Sequence, residues 1–256
     1  MGSKKPEVDS NFTPVSTDPI YRLIWRSIGW DKTGKNHFGF TAPGPIFGQY
    51  FDPGGIEGVA EKFVLGKVPG VAARDIQFTQ YSLKRSEVSQ DDAKELVKLF
   101  IEDYEYALKH ARTIQWDETE FWEWCRYAEF GENEQGVATD QPKNYARINS
   151  RYRDYLQRAY DECVNLQLIQ KVKEKWGIDK KGNLGPIGQV VAQGFKQSGN
   201  IVQATLEHSW DIERGFVVKV VNCRKNMTLA GQEYVDTNFA EIATLVHGEE
   251  SEGAWE

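Results

Sequence analysis

Gly29-Trp30-Asp31-Lys32-Thr33-Gly34-Lys35-Asn36 is the stretch from which the fold of this chain is best approached. It reads G-x-x-x-x-G-K-N, a phosphate-loop pattern in which Asn36 stands where Ser or Thr usually closes the motif. In such a loop the glycines turn backbone N–H groups inward around a β-phosphate. The lysine reaches the β- and γ-phosphates, and the helix that follows directs its positive end at them. The closing hydroxyl normally holds Mg²⁺, for which an amide such as Asn36 is a poorer ligand. Asp31 beside a polyphosphate is unfavourable unless a cation screens it. A chain of this composition yields G-x4-G-K by chance about 0.15 times, so the surroundings must carry the reading. The rival reading is a Gly-rich surface turn with one solvated lysine.

The surroundings agree with a phosphate loop. Residues 20–28 form an aromatic and aliphatic run that predicts a strand feeding directly into Gly29. After the octet only a short helix, residues 37–42, fits before Pro43-Gly44-Pro45 breaks it. A second strand over 46–51 ends in an acidic, Gly-rich loop carrying Asp52 and Glu57, where α/β sheets place ligand chemistry. A plain turn with Asp52 capping a segment over 57–65 explains the same residues. Residues 74–83 contain a third short strand.

The clearest helix follows. Ser89 is suited to its N-cap, Asp91 and Asp92 to its first turn, and apolar residues recur from Ala93 to Leu108 at helical steps. It leads to a strand over 113–116 that ends in Asp117-Glu118. A strand-end aspartate can orient Mg²⁺ and a neighbouring carboxylate can polarise an attacking water. Capping of a helix over 119–130 is the alternative for both residues. A polar stretch over 131–143 precedes a second amphipathic helix over 144–163. Its Arg147, Arg151, Arg153 and Arg158 read as a solvated face, with nucleic-acid contact as the alternative. A strand over 165–169 then places Gln170 at its carboxyl end, where an amide could sense a γ-phosphate.

Lys171, Lys173, Lys175, Lys180 and Lys181 make the only dense basic run of the chain. It reads either as a flexible loop tracking a phosphodiester backbone or as a solvated hairpin. Strand-like runs at 201–207 and 216–222, then Arg224-Lys225-Asn226, lead to a closing helix over 238–246 with Asn238 as its cap.

Composition limits the choices. The 256 residues suit one α/β domain, read as residues 19–248 between a polar tail at 1–18 and an acidic tail at 249–256. The net charge of −7 argues against a nucleic-acid coat but not against a local basic face. Cys125, Cys163 and Cys223 are odd in number and lack metal spacing, as do the four histidines, so reduced structural thiols in a cytoplasmic protein are expected. No apolar run is long enough for a membrane span.

The order strand, G-x4-G-K, acidic loop, helix, strand-Asp, helix, strand-Gln, β-hairpin resembles the RecA-like P-loop ATPases of bacteriophages, including ATPases associated with single-strand annealing and recombination. The likeness covers roughly residues 20–246. It is carried by Gly34-Lys35-Asn36-His37-Phe38 running into 41–46, by 52–58, by Arg112 to Asp117, and by 217–226, which is similar to a final core strand. The resemblance implies a mainly parallel sheet flanked by helices, with a C-terminal β-hairpin extension. It implies ATP on residues 29–36 with His37 adjoining, Lys35 on the phosphates, and Mg²⁺ near Asp117 and Asn36. Glu57 matches the catalytic carboxylate of the class, with Glu118 as the second candidate. Rings or filaments would let Arg224 and Lys225 reach a neighbour's γ-phosphate. The expected activity is ATP binding and hydrolysis in phage DNA recombination, repair or replication, with single-stranded DNA held by the 171–181 region. A binding-only scaffold with a degenerate loop is the alternative, motivated by Asn36.

Overall fold

The computed structural model describes residues 19–52, 56–82, 88–131, 145–178 and 184–255. Six short runs of apolar residues pair in parallel: β1 (Ile24–Gly29), β2 (Ile46–Tyr50), β3 (Ile76–Gln80), β4 (Thr113–Asp117), β5 (Asn165–Ile178) and β7 (Ala204–Asp211). Three antiparallel strands, β6 (Leu184–Ala192), β8 (Gly215–Cys223) and β9 (Glu233–Val235), complete the sheet. The strand order is β3-β2-β4-β5-β1-β7-β8-β9, with β6 paired to β5 outside that path. The protein is therefore α/β, with a mainly parallel central sheet, flanking helices and an antiparallel C-terminal region.

The helices divide between the two faces because the strands are buried on both. On one face lie α3 (Gln90–His110), α4 (Glu118–Phe130) and α5 (Tyr145–Asp161). Ile24, Ile114, Trp116, Leu166 and Leu168 meet Phe100, Tyr104, Phe121 and Tyr152 there. On the other face lie α1 (Lys35–Phe40), α2 (Ala60–Val64) and α6 (Phe239–His247). Here Trp25 packs on Phe38 and Phe239, while Ile46, Tyr50 and Ile169 pack on Phe40 and Phe63. A capping box starts α3, with Ser89 Oγ accepting from the Asp92 N–H and Asp92 from the Ser89 N–H. Asn238 caps α6 through the Glu241 N–H.

Three boundaries differ from the sequence expectation. The first helix begins at Lys35 rather than residue 37, since Gly34 at φ 85° supplies the left-handed turn into it. The strand expected to stop at 169 continues to Ile178 because β6 folds back on its outer half, from Val172↔Ala192 to Ile178↔Leu184. The basic run is thus ribbon rather than loop as far as Lys175; Lys180 and Lys181 lie outside the described residues. At the C-terminus, Glu249–Trp255 forms a 3₁₀ helix instead of a free acidic tail. Its anchor is Trp255, only 1% exposed, whose ring meets Tyr21, Phe239 and His247. Among the described residues no helix is long and apolar enough to cross a membrane.

Candidate functional site

Register places the carboxyl ends of three strands side by side. Gly29 of β1 is level with Lys171 of β5, and Ile169 of β5 with Asp117 of β4. Because β5 lies between β1 and β4, the octet and Asp117 begin about two strand spacings, roughly 9.6 Å, apart. Side chains alternate across a strand, so Ser27, Gln115, Asp117 and Gln167 face the α1 side.

Lys35 opens α1 and is 7% exposed. Its Nζ donates to the carbonyls of Gly29 at 2.8 Å and Trp30 at 2.5 Å, so the ammonium is curled onto its own loop. Burial pulls its pKa down to about 8; Asp31 and Asp117 oppose the fall and Lys171 adds to it. Thr33 Oγ1 donates to the Trp30 carbonyl at 2.8 Å, closing the turn. Gly34 combines φ 85° with a close approach, since a Cβ there would sit 2.7 Å from the Phe216 ring. Asn36 and His37 are half-buried, and His37 lies between Phe63 and Phe216. Burial, then Lys62, lowers the His37 pKa.

Asp117 is buried at the N-cap position of α4. Burial, then Glu120, raise its pKa to about 7, with Lys171 opposing. Lys171 pairs with Glu120 at 3.3 Å, and against burial Asp117 and Glu120 hold its pKa above the ordinary value. Asp31, Lys35, Asp117, Glu120 and Lys171 thus form one electrostatic cluster. Lys171, read from sequence as a DNA contact, belongs to this cluster.

Beneath α1 lies a buried polar layer that sequence reasoning missed. His208 Nε2 is 3.0 Å from Ser27 Oγ, and Gln167 Nε2 donates to Ser27 Oγ at 2.8 Å and to the Lys35 carbonyl at 3.0 Å. Tyr50 donates to Gln115 beside them. Burial and Lys35 push the His208 pKa down to about 3, so the ring is neutral. The available signal was polar residues at alternate positions of otherwise apolar strands, Ser27, Gln115 and Gln167 among them.

Other expected residues are placed elsewhere. Glu118 and Gln170 face the α4–α5 side of the sheet, since Gln170 alternates with Leu166 and Leu168. Gln170 Nε2 donates to Glu118 at 2.7 Å and to Ser198 Oγ at 3.0 Å, and the Phe195 N–H donates to Glu118 at 2.8 Å. Burial raises the Glu118 pKa to about 8. Neither side chain joins Lys35. Glu57 is exposed in the turn before α2, outside the charges that perturb Lys35. Arg224 and Lys225 follow β8 at the opposite end of the sheet, where the Arg224 N–H bonds the Gln203 carbonyl and the Gln203 N–H bonds Ile24.

Two ribbons rise beside the octet. The β5–β6 ribbon exposes Trp176 (62%) and lines an open cavity of about 670 Å³ with Lys173, Glu174, Lys175, Val191 and Trp30 of the loop. The β7–β8 ribbon sets Trp210 edge-on against Phe216, which covers Gly34. No group of three or more His, Cys, Asp or Glu residues suited to a metal occurs among the described residues. Compared with known proteins, the chain matches no family model and no curated protein.

Proposed function

We propose that this chain is a RecA-like P-loop protein that binds ATP with Mg²⁺ on residues 29–37. The observation that carries the reading is the placement of Lys35 and the strand-end Asp117 on one face of the sheet, near enough to act on each other electrostatically, with strand β5 between β1 and β4. The residues present fit the group. Among the described residues Lys35 Nζ is held by the Gly29 and Trp30 carbonyls, and burial lowers its pKa against the pull of Asp31 and Asp117. Asp117 is a buried carboxyl whose pKa would fall beside a divalent cation. Asn36, Thr33 and Asp117 are the side chains available to the metal, which when bound would neutralise charge on the phosphates. Lys35 would stabilise the γ-phosphate oxygens and Lys171 would screen Asp31 and Asp117.

The proposed polymer partner is single-stranded DNA on the β5–β6 ribbon. An exposed tryptophan beside Lys173 and Lys175 combines a stacking surface with phosphate-pairing cations. Assembly into a ring or filament, and a role in phage recombination, repair or replication, follow from the resemblance.

A second reading, nucleotide binding without turnover, is favoured by a specific observation. Glu118 is buried on the far face, and Glu120, whose charge raises the Asp117 pKa, is paired with Lys171. Calorimetric titration with Mg-ATP and a hydrolysis assay, each with and without single-stranded DNA, decide between them. DNA-stimulated turnover lost in Lys35→Ala supports the ATPase; tight binding without turnover supports the scaffold. Unchanged ATP binding by Lys35→Ala defeats both.

A further inference from the structure

At the end of the sheet remote from the octet lie three cations, Arg22, Arg224 and Lys225, that act electrostatically on shared groups and have no carboxylate partner among the described residues. Arg22, just ahead of β1, lays its guanidinium over the Tyr160 ring, 4.8 Å from the centroid. Its Nη1 has only the Cys163 thiol, at 3.7 Å, and its buried Nε has no hydrogen-bond partner. Arg224 acts electrostatically on the same Tyr160 as Arg22 does. Lys225 Nζ lies 2.9 Å from His247 Nδ1, and burial, then Arg22, lowers its pKa. His247 is itself kept neutral by burial, then by Lys225, with its pKa near 4, so it accepts from the ammonium without supplying negative charge. Among the described residues no ion pair is made by Arg22, Arg224 or Lys225, and Glu250 acts on His247 in the opposite sense to Lys225.

In a protein of net charge −7, Arg22, Arg224 and Lys225 concentrate positive charge at one end of the sheet. A guanidinium offers a planar fork of N–H donors that phosphate oxygens accept. Tyr160, fixed by its hydroxyl bond to the Ile201 carbonyl at 2.6 Å, holds the Arg22 plane in place. Arg224 and Lys225, exposed on the next turn, can close on the same anion from the solvent side.

We propose that Arg22, Arg224 and Lys225 form a binding site for a phosphate dianion, separate from the nucleotide loop and contained within one chain. The ligand is free phosphate or the phosphate of a small monoester; both present the same three oxygens. The proposal does not depend on the nucleotide reading, and its test silences the loop first.

Inorganic phosphate and glycerol 3-phosphate are titrated calorimetrically into the full chain carrying Lys35→Ala. Saturable one-to-one binding is expected, weakened about tenfold or more by Arg22→Gln and also by the exposed Arg224→Gln, one charge-assisted contact being lost in each. The tighter of the two titrants identifies the source of the phosphate. Absence of saturable binding overturns the proposal, as does binding that neither substitution weakens. Binding of a single-stranded oligonucleotide in place of both small anions also overturns it, marking a polyanion surface instead. Because Arg224 is exposed, its variant remains informative if Arg22→Gln unfolds.

Discussion

Lys35 illustrates how a residue's identity and its environment make separate contributions. Its place in G-x4-G-K was legible, but its low exposure and its grip on two loop carbonyls come from the packing of α1 against β1 and β5. Replacing it with alanine removes charge-assisted contacts to the phosphates and should weaken Mg-ATP binding on the order of 100-fold, measured by titration. Gly39 makes a sharper test of the polar layer. In an exposed helix Gly→Ala gains about 1 kcal/mol. Here a Cβ would meet Gln167 Oε1 at 1.9 Å and Gln115 Nε2 at 2.4 Å, so the sign inverts. Gly39→Ala should lose roughly 1–3 kcal/mol in urea unfolding. Nothing in a six-residue helical segment read alone distinguishes that glycine from a tolerated one.

At the scale of elements, β5 does two jobs. Its first half lies in the parallel sheet between the loop strand and the Asp117 strand, and its second half leaves the sheet as one side of a ribbon. Trp176→Ala should weaken single-stranded DNA binding by about 1–3 kcal/mol. Lys173→Ala with Lys175→Ala should reduce the slope of log affinity against log salt by about 1.4. Both leave thermal stability nearly unchanged, because these side chains are exposed. The start of α4 offers a pH test. Glu118 is raised to about 8 in the folded protein, so the native state holds a proton that the unfolded chain releases near the ordinary glutamate pKa. Its contribution to stability is therefore present at low pH and lost as pH rises through about 8. Between pH 5 and 8 the melting temperature should fall less steeply for Glu118→Gln than for the wild type. Parallel slopes would mean that Glu118 titrates normally. The alternation that sends Gln170 to the same far face as Glu118 was visible in Leu166-Gln167-Leu168-Ile169-Gln170. The sequence reading instead treated Gln170 as a strand-end residue, which required the strand to stop at 169.

Across the whole molecule, the C-terminus closes onto the beginning of the sheet. Trp255 is buried against Tyr21, Phe239 and His247, joining the last residues to the segment leading into β1. Trp255→Ala should cost about 3–5 kcal/mol, read from the urea midpoint at constant slope. A change within about 0.5 kcal/mol would show the segment to be dispensable. This contact was not legible: Glu249-Glu250-Ser251-Glu252 reads as solvated tail, and one tryptophan after it has no periodic partner. Its partner Tyr21 lies at the other end of the described chain, and Phe239 sits on the inward face of α6.

What the sequence determined by itself was local and ordered along the chain: the strand running into a glycine turn, the Ser89 and Asn238 caps, the amphipathic repeat of α3, and the alternation of strands and helices. Short-range sterics, backbone capping and one-face burial act over a few residues, so the residues alone express them. The strand order, the face to which Asp117 and Glu118 each turn, the Ser27–His208–Gln167 layer and the convergence of Arg22 with Arg224 were decided only in three dimensions. They join residues up to about two hundred positions apart. Strand pairing and the burial of both sheet faces select them, and no local pattern encodes which strand becomes the neighbour of which.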